Sequence, residues 1–308
     1  MNYNIALCRN LAIISIILHH TLCAFGSWPP NHKIDVPLPD ILSVISYDLK
    51  AVGLGTFTFV SGYLMFFQEK KKISFTKFFY KKTSRILLPC LLYALAYWLI
   101  FPTFMFNIFP APINGTHLWY LPMIFLCMIV ISLHTYCRRY ALPLVILIYC
   151  AMHYYNNLLP NRTLEEFFYY FPIFYSGYLL NKYSVVERLQ NTKYRVLSLI
   201  ISFFACVYFR KHGFPIYGWA VYYGLAALTL YMATSLLLNN KTLDKFSMII
   251  TNNSFAIYLL HQFVINALLL FNYSNVNVYL IVCLISLTAF FIPLTLSYLY
   301  SSLRFRKI

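Results

Sequence analysis

Charge is scarce in this chain: Asp, Glu, Lys and Arg make up 10% of its 308 residues, and only eight of them are acids. With 61% hydrophobic residues and a mean hydropathy of +0.67, this excludes a water-soluble globule. Cysteine is present, at Cys8, Cys23, Cys90, Cys127, Cys137, Cys150, Cys206 and Cys283, but no CxxC pair or His/Cys ligand spacing occurs. The cysteines lie in or beside apolar runs and read as small core residues, so neither a disulfide framework nor a metal site is expected. No pair of carboxylates falls deep inside an apolar run, which counts against a proton-coupled transporter. No short apolar region leads into a small-residue cleavage site, so the first apolar run is expected to remain in place as a helix. No loop is long enough to fold as a domain, and residues 1–308 read as a single membrane domain.

What the chain does have is a series of long apolar runs. A crossing needs about 20 apolar residues, and spans are expected near 5 to 27, 43 to 67, 86 to 106, 117 to 137, 140 to 156, 165 to 181, 196 to 210, 214 to 237, 247 to 270 and 277 to 302. The fold class is therefore an all-α bundle of about ten transmembrane helices. An even count puts both termini on one side, and the basic residues choose that side. One set of loops and ends carries Arg9, then Lys70, Lys71, Lys72, Lys77, Lys81, Lys82 and Arg85, then Arg138 and Arg139. It continues with Lys182, Arg188, Lys193, Arg195, Lys241, Lys245, Arg304, Arg306 and Lys307. The opposite set carries Lys33, Arg162, Arg210 and Lys211, with Lys50 inside or beside the second span. Both termini are expected in the cytoplasm, in a bacterial inner membrane. Because the charges sit between apolar runs, the net charge of +16 points to membrane lipid and not to nucleic acid. The outer loops, Trp28 to Pro39 and Phe109 to Thr116, are proline-rich and read as stiff connections.

Against this apolar background a few polar residues stand out. Arg9 and His20 share the first span, eleven steps apart. At about 100° and 1.5 Å per step they face one side, roughly 16 Å apart along the axis. Two such costly groups on one stripe imply a bundle interior or a wet cavity, whereas His19 faces a different neighbour. Arg85 follows the densest basic run. It reads either as an anchor to anionic lipid or as a phosphate clamp. His117 and Trp119 open the fourth span, where an aromatic belt accounts for Trp119. In the ninth span Ser254, Tyr258 and His261 share a helical face, with Asn253 nearby. Asp48 and Lys50 read as an outer interface, and Glu165 and Glu166 as solvated residues. Phe59-Val-Ser-Gly-Tyr63 is echoed by Phe174-Tyr-Ser-Gly-Tyr178; both run outside to inside, which suits a parallel repeat or, more plainly, close helix packing at small residues.

Five of these segments, in order, resemble the membrane acyltransferase-3 family. They are Arg9 and His20, with ten residues between them; the phenylalanine-rich run Phe57 and Phe59 into Ser61, Gly62 and Tyr63; and Arg85 to Pro89, with Ile86 in place of leucine. His117 to Leu121 and Ile257 to His261 complete the series, which covers nearly the whole chain. The departures are Lys81 and Lys82, where arginines are usual, and the lack of the C-terminal hydrolase-like module that some members carry.

The resemblance implies a membrane O-acyltransferase. Its donor substrate would be acetyl-CoA or another acyl-CoA, with no tightly bound cofactor. The acceptor would be a cell-surface or exported polysaccharide or its lipid-linked precursor, with polysaccharide-synthesis machinery as a candidate partner. His20 is then the general base, or a covalent acyl carrier, and Arg9 and Arg85 the acyl-CoA contacts. Ser61, Tyr258, His261, His117 and Trp119 are candidates for orienting the acceptor or stabilising an oxyanion. A transporter or flippase for a polysaccharide or lipid-linked sugar, or an inactive scaffold, would also need a polar-lined bundle.

Overall fold

The apolar runs within the described residues fold as helices, and no strand occurs among those residues. The computed structural model describes residues 3–26, 33–71, 74–101, 116–136, 150–151, 162–185, 192–212, 218–236 and 241–305. The helices are α1 (Tyr3–Cys23), α2 (Asp40–Lys70), α3 (Phe75–Lys82), α4 (Leu88–Ile100), α5 (Tyr120–Tyr136), α6 (Arg162–Lys182), α7 (Thr192–His212), α8 (Gly218–Leu236), α9 (Lys241–Leu268) and α10 (Val278–Phe305). Five stretches are long and apolar enough to cross a membrane: Tyr3–Cys23, Asp40–Gln68, Phe75–Ile100, Lys245–Leu268 and Val278–Leu303. The apolar helix His117–Leu133 is shorter. The expected fifth span, apart from residues 150–151, lies outside the described residues, as do Arg138, Arg139, Arg306, Lys307 and most of both proline-rich loops.

The exterior of the bundle is apolar, and polar side chains are buried within a largely apolar core. Leu91, Leu92, Leu95 and Leu99 of α4 are exposed, as are Ile201, Phe203 and Phe204 of α7 and Leu280, Leu284 and Leu287 of α10. Meanwhile Asn10, Thr58, Ser254, His261, Gln262 and Asn266 are buried. Water would reverse that pattern; hydrocarbon rewards it, because a polar group there needs a partner inside the protein. Asn10 illustrates the requirement. Its amide nitrogen donates to the Ser247 carbonyl and hydroxyl, both at 2.8 Å, while its oxygen accepts from Thr251 at 2.9 Å, clamping α1 to α9.

The Phe-x-Ser-Gly-Tyr echo is the contact between α2 and α6. A Cβ on Gly62 would lie 1.8 Å from the Phe174 carbonyl oxygen, and one on Gly177 would lie 2.1 Å from that of Phe59. Each glycine thus faces the carbonyl three residues before the other, and the two backbones touch where a side chain would hold them apart. Asn181 Nδ2, donating to the Tyr63 carbonyl at 2.7 Å, fixes the register one turn further on.

Directions follow from such contacts. α1 and α9 run parallel, with Asn10 on Ser247 at one end and His20 on His261 towards the other. α2, α5, α6 and α8 run the opposite way. At the His20 end, Asp48 of α2 accepts from Arg210 of α7 and from Tyr222 of α8, each at 2.6 Å. The cysteine expectation holds for Cys8, Cys90 and Cys127, which are buried, but Cys150 and Cys283 are exposed; all seven described cysteines are free.

Candidate functional site

Three histidines from three elements meet at one end of the bundle. His20 falls in the last turn of α1. His261 comes from α9, and His117 from the single 3-10 turn His117–Trp119 that opens α5. That turn is held in place three ways. Thr116 caps it by accepting from the Leu118 amide at 3.1 Å. The Tyr258 hydroxyl donates to the His117 carbonyl, and Cys90 Sγ–H reaches the Leu118 carbonyl at 3.8 Å.

The geometry fixes proton positions. His261 Nδ1 lies 3.2 Å from the Ile257 carbonyl, which can only accept, so Nδ1 carries the hydrogen and Nε2 a lone pair. His20 Nδ1 lies 2.8 Å from that Nε2 and must donate to it. The basic lone pair of His20 is therefore on Nε2. The two rings are stacked, with centroids 5.1 Å apart and planes 4° from parallel. Such a partner selects a histidine's tautomer and holds its plane. His117 stands edge-on to both, its centroid 4.8 Å from His261 and 6.0 Å from His20.

His117 is 4% exposed, and its ring nitrogens make no well-formed hydrogen bond among the described residues, only looser approaches to the backbone of Tyr258 and Leu259. The Tyr97 hydroxyl of α4 is buried and unpartnered, its ring 5.9 Å from His117. Buried polar groups without well-formed hydrogen bonds are rare, because each forfeits its bonds to water. Two together beside a histidine pair suit a transient ligand.

Arg9 lies at the other end of α1, half-buried. It is within electrostatic reach of the Tyr120 hydroxyl, which shares a 3.3 Å hydrogen bond with Thr58 and lies beside Ser61. The Tyr120 ring is 5.7 Å from that of Tyr258, so aromatic hydroxyls line the interval between Arg9 and the histidines. Lys81, Arg85 and Arg9 all act electrostatically on Lys82, which gathers four cations at this end. Arg85 is exposed on a π turn, Thr83–Leu87, in which the Leu88 amide bonds the Thr83 carbonyl. Pro89 follows it. Lacking an N–H, proline cannot serve the Arg85 carbonyl in α-helical register, and the wider turn shifts the bonding before it arrives.

The sequence-derived residues therefore divide into two groups. His20, His117, His261 and Tyr258 come together; Arg9, Arg85 and Ser61 belong to the opposite, cationic end. Trp119 is 4% exposed and packs on Tyr120 and Tyr170, so it is an interior residue and not part of an aromatic belt. His19 does face elsewhere, its Nδ1 2.9 Å from the Ser46 carbonyl. Asn253 faces α10, accepting from Ser297 at 2.6 Å. Glu165 is exposed as expected, but Glu166 is half-buried in a cleft. Sequence reasoning missed Tyr97 and Tyr120. Tyr120 lies inside the segment that pointed to His117, whereas nothing local distinguishes Tyr97 from its aromatic neighbours. Among the described residues no cluster of His, Cys, Asp and Glu fits a metal ion.

An all-helical bundle with an apolar exterior, a cationic end and a buried histidine cluster defines a multi-pass membrane protein with an internal polar site. The chain matches a family model described as an acyltransferase domain over residues 2–299, and it belongs to the membrane acyltransferase-3 family. No curated protein and no solved structure matches it.

Proposed function

We propose that this protein moves an acetyl group from cytoplasmic acetyl-CoA to a hydroxyl of a cell-surface or exported glycan or its lipid-linked precursor, in a bacterial inner membrane. The observation that supports this reading is the His20–His261 hydrogen bond, which leaves the basic nitrogen of His20 at Nε2, with His117 edge-on to both rings and Tyr97 beside His117. The family match supports acyl transfer as the reaction class.

In this scheme the Arg9 end faces the cytoplasm. Arg9, Lys82 and Arg85 hold the CoA phosphates, for which a guanidinium fork is the better partner. Arg9 and His20 are roughly 16 Å apart along α1, and an extended pantetheine arm is of that order. His20 Nε2 takes the proton from the acceptor hydroxyl as its oxygen attacks the thioester carbonyl. The C–O bond forms and the carbonyl electron pair moves onto oxygen, where His117 N–H and Tyr97 O–H are the candidate donors. The oxyanion collapses, the C–S bond breaks, and the CoA thiolate recovers the proton from Nε2. The products are an O-acetyl ester and CoA. Throughout, His261 Nε2 accepts the Nδ1–H of His20, holding the ring and favouring the imidazolium that forms in passing.

The test is CoA release and label transfer from radiolabelled acetyl-CoA by protein in lipid nanodiscs, supplied with membrane extract as acceptor. His20→Ala is expected to lower both by about 100-fold or more. A folded His20→Ala protein with the wild-type rate overturns the scheme. A wild-type protein that leaves the thioester intact is a transporter or a scaffold.

A further inference from the structure

A second feature lies at the same end of the bundle as the histidines. A cleft of about 340 Å³ lies between α2, α6 and α8, walled by Tyr47, Tyr169, Trp219 and Tyr223 and carrying Lys50 and Glu166. The Tyr47 and Trp219 rings meet edge to face at 4.8 Å. Trp219, 52% exposed, stands at the mouth, while Tyr223, 6% exposed, forms the floor. Two observations tie the cleft to the site. Ser46, next to Tyr47 in the chain, holds His19, the neighbour of His20. Lys50 is within electrostatic reach of both histidines.

The composition of this cleft selects its ligand. Its volume lies at the lower end of the 300–1,000 Å³ range of small-molecule pockets, and its single cation and single anion give no net charge. Aromatic faces with a few hydroxyl, carboxylate and ammonium groups match a sugar ring, whose C–H face is apolar and whose rim is hydroxyl. On the same helices, sharing Ala220, lies an apolar groove of about 470 Å³ lined by Phe59, Pro172, Ile173, Leu180 and Leu228. Gly224 opens it. A Cβ there would meet only Ile173 Cγ1, at 3.7 Å, so packing does not require glycine as it does at Gly62 and Gly177. Its smallness leaves the groove empty.

We propose that the cleft and the groove together form the acceptor site for a lipid-linked sugar, with the sugar ring against Tyr47, Tyr169 and Trp219 and the lipid chain along Gly224 and Leu228. This rests on the acyltransferase reading and sharpens it. The acceptor is modified while still on its lipid, at the His20 end, with the hydroxyl presented past Lys50.

The experiment compares cells lacking the gene with cells complemented by the wild type, Trp219→Ala, Gly224→Leu or His20→Ala. Acetylated sugars are quantified by mass spectrometry in the organic-solvent lipid extract and, separately, in the polymeric glycan. Both cleft substitutions fall at exposed or open positions. Trp219→Ala removes the stacking face and Gly224→Leu fills the groove. The expected result is a gene-dependent acetylated lipid-linked sugar that each lowers about tenfold or more. On purified protein, their Kd for acetyl-CoA stays within about twofold of wild type. Gene-dependent acetylation confined to polymer, or a wild-type lipid-linked level in both variants, overturns the proposal while the acyltransferase reading stands. No acetylated species dependent on the gene, with His20→Ala indistinguishable from wild type, overturns the acyltransferase reading itself.

Discussion

His20 Nδ1 donates to His261 Nε2 across the interface of α1 and α9, at 2.8 Å, with the two imidazoles stacked. Because the other nitrogen of His261 is committed to its own helix's Ile257 carbonyl, the direction of that bond is fixed, and with it the nitrogen on which His20 can act as a base.

Removing the partner takes away the acceptor that selects the tautomer of His20. His261→Ala is expected to lower kcat for acetyl transfer by about 100-fold, with KM for acetyl-CoA within about twofold. His261→Gln, whose carbonyl can still accept from Nδ1, recovers part of the loss. Steady-state kinetics in nanodiscs measure this; equal kcat for the two variants would show that His261 does not act through the bond.

Tyr97→Phe separates a structural hydroxyl from a functional one. The hydroxyl is buried and unpartnered, so its removal should leave thermal stability unchanged or raised by up to about 1–3 kcal/mol. An oxyanion donor, in contrast, costs about 100-fold in kcat when lost. A Tyr97→Phe protein of full activity excludes the donor role.

Gly62→Ala forces a methyl onto the Phe174 carbonyl, and Gly177→Ala does the same at Phe59. Each should destabilise the bundle by about 1–3 kcal/mol or more. Once one has pushed α2 and α6 apart the other costs less, so the double variant loses less than the sum. Melting of the four proteins in one detergent checks both points, and additive losses would mean that the contacts are independent.

Arg9→Gln removes the inner guanidinium from the cationic end. The expected change is a rise of about tenfold in the Kd for CoA, with a smaller rise in Arg9→Lys, which keeps the charge but not the fork. Calorimetry with CoA reads it directly. An unchanged Kd assigns Arg9 to helix anchoring.

Asp48→Asn should matter little. Its bridge to Arg210 is 2.6 Å long, but the two side chains are 36% and 39% exposed, and such pairs contribute about 0–1 kcal/mol. A larger loss of melting stability would point to the Tyr222 hydroxyl as the important partner.

Hydrophobic run length was enough to locate several of the helices, though not α3. The expected spans at 5 to 27, 43 to 67 and 277 to 302 correspond to Tyr3–Cys23, Asp40–Lys70 and Val278–Phe305, because a backbone in hydrocarbon has to satisfy its polar groups within the segment. The shared stripe of Arg9 and His20 was also legible, being a property of one helix and its fixed pitch. So was close helix packing at the Ser-Gly-Tyr segments, since small residues let backbones touch; that the two segments meet each other was not.

What lay beyond the sequence was which end of each helix met which. That His20 finds His261, 241 residues away, that Trp119 turns inward onto Tyr170, and that Glu166 faces a cleft with Trp219 all depend on the rotation and depth of separate helices. Spacing along one chain carries no information about those quantities. They are set by packing between helices, through contacts such as Gly62 on Phe174 and Asn10 on Ser247. The sequence by itself determined a membrane bundle with a few expensive polar residues inside. Only the tertiary structure decided which of them share a site, because proton transfer needs groups within hydrogen-bond reach, directly or through one water.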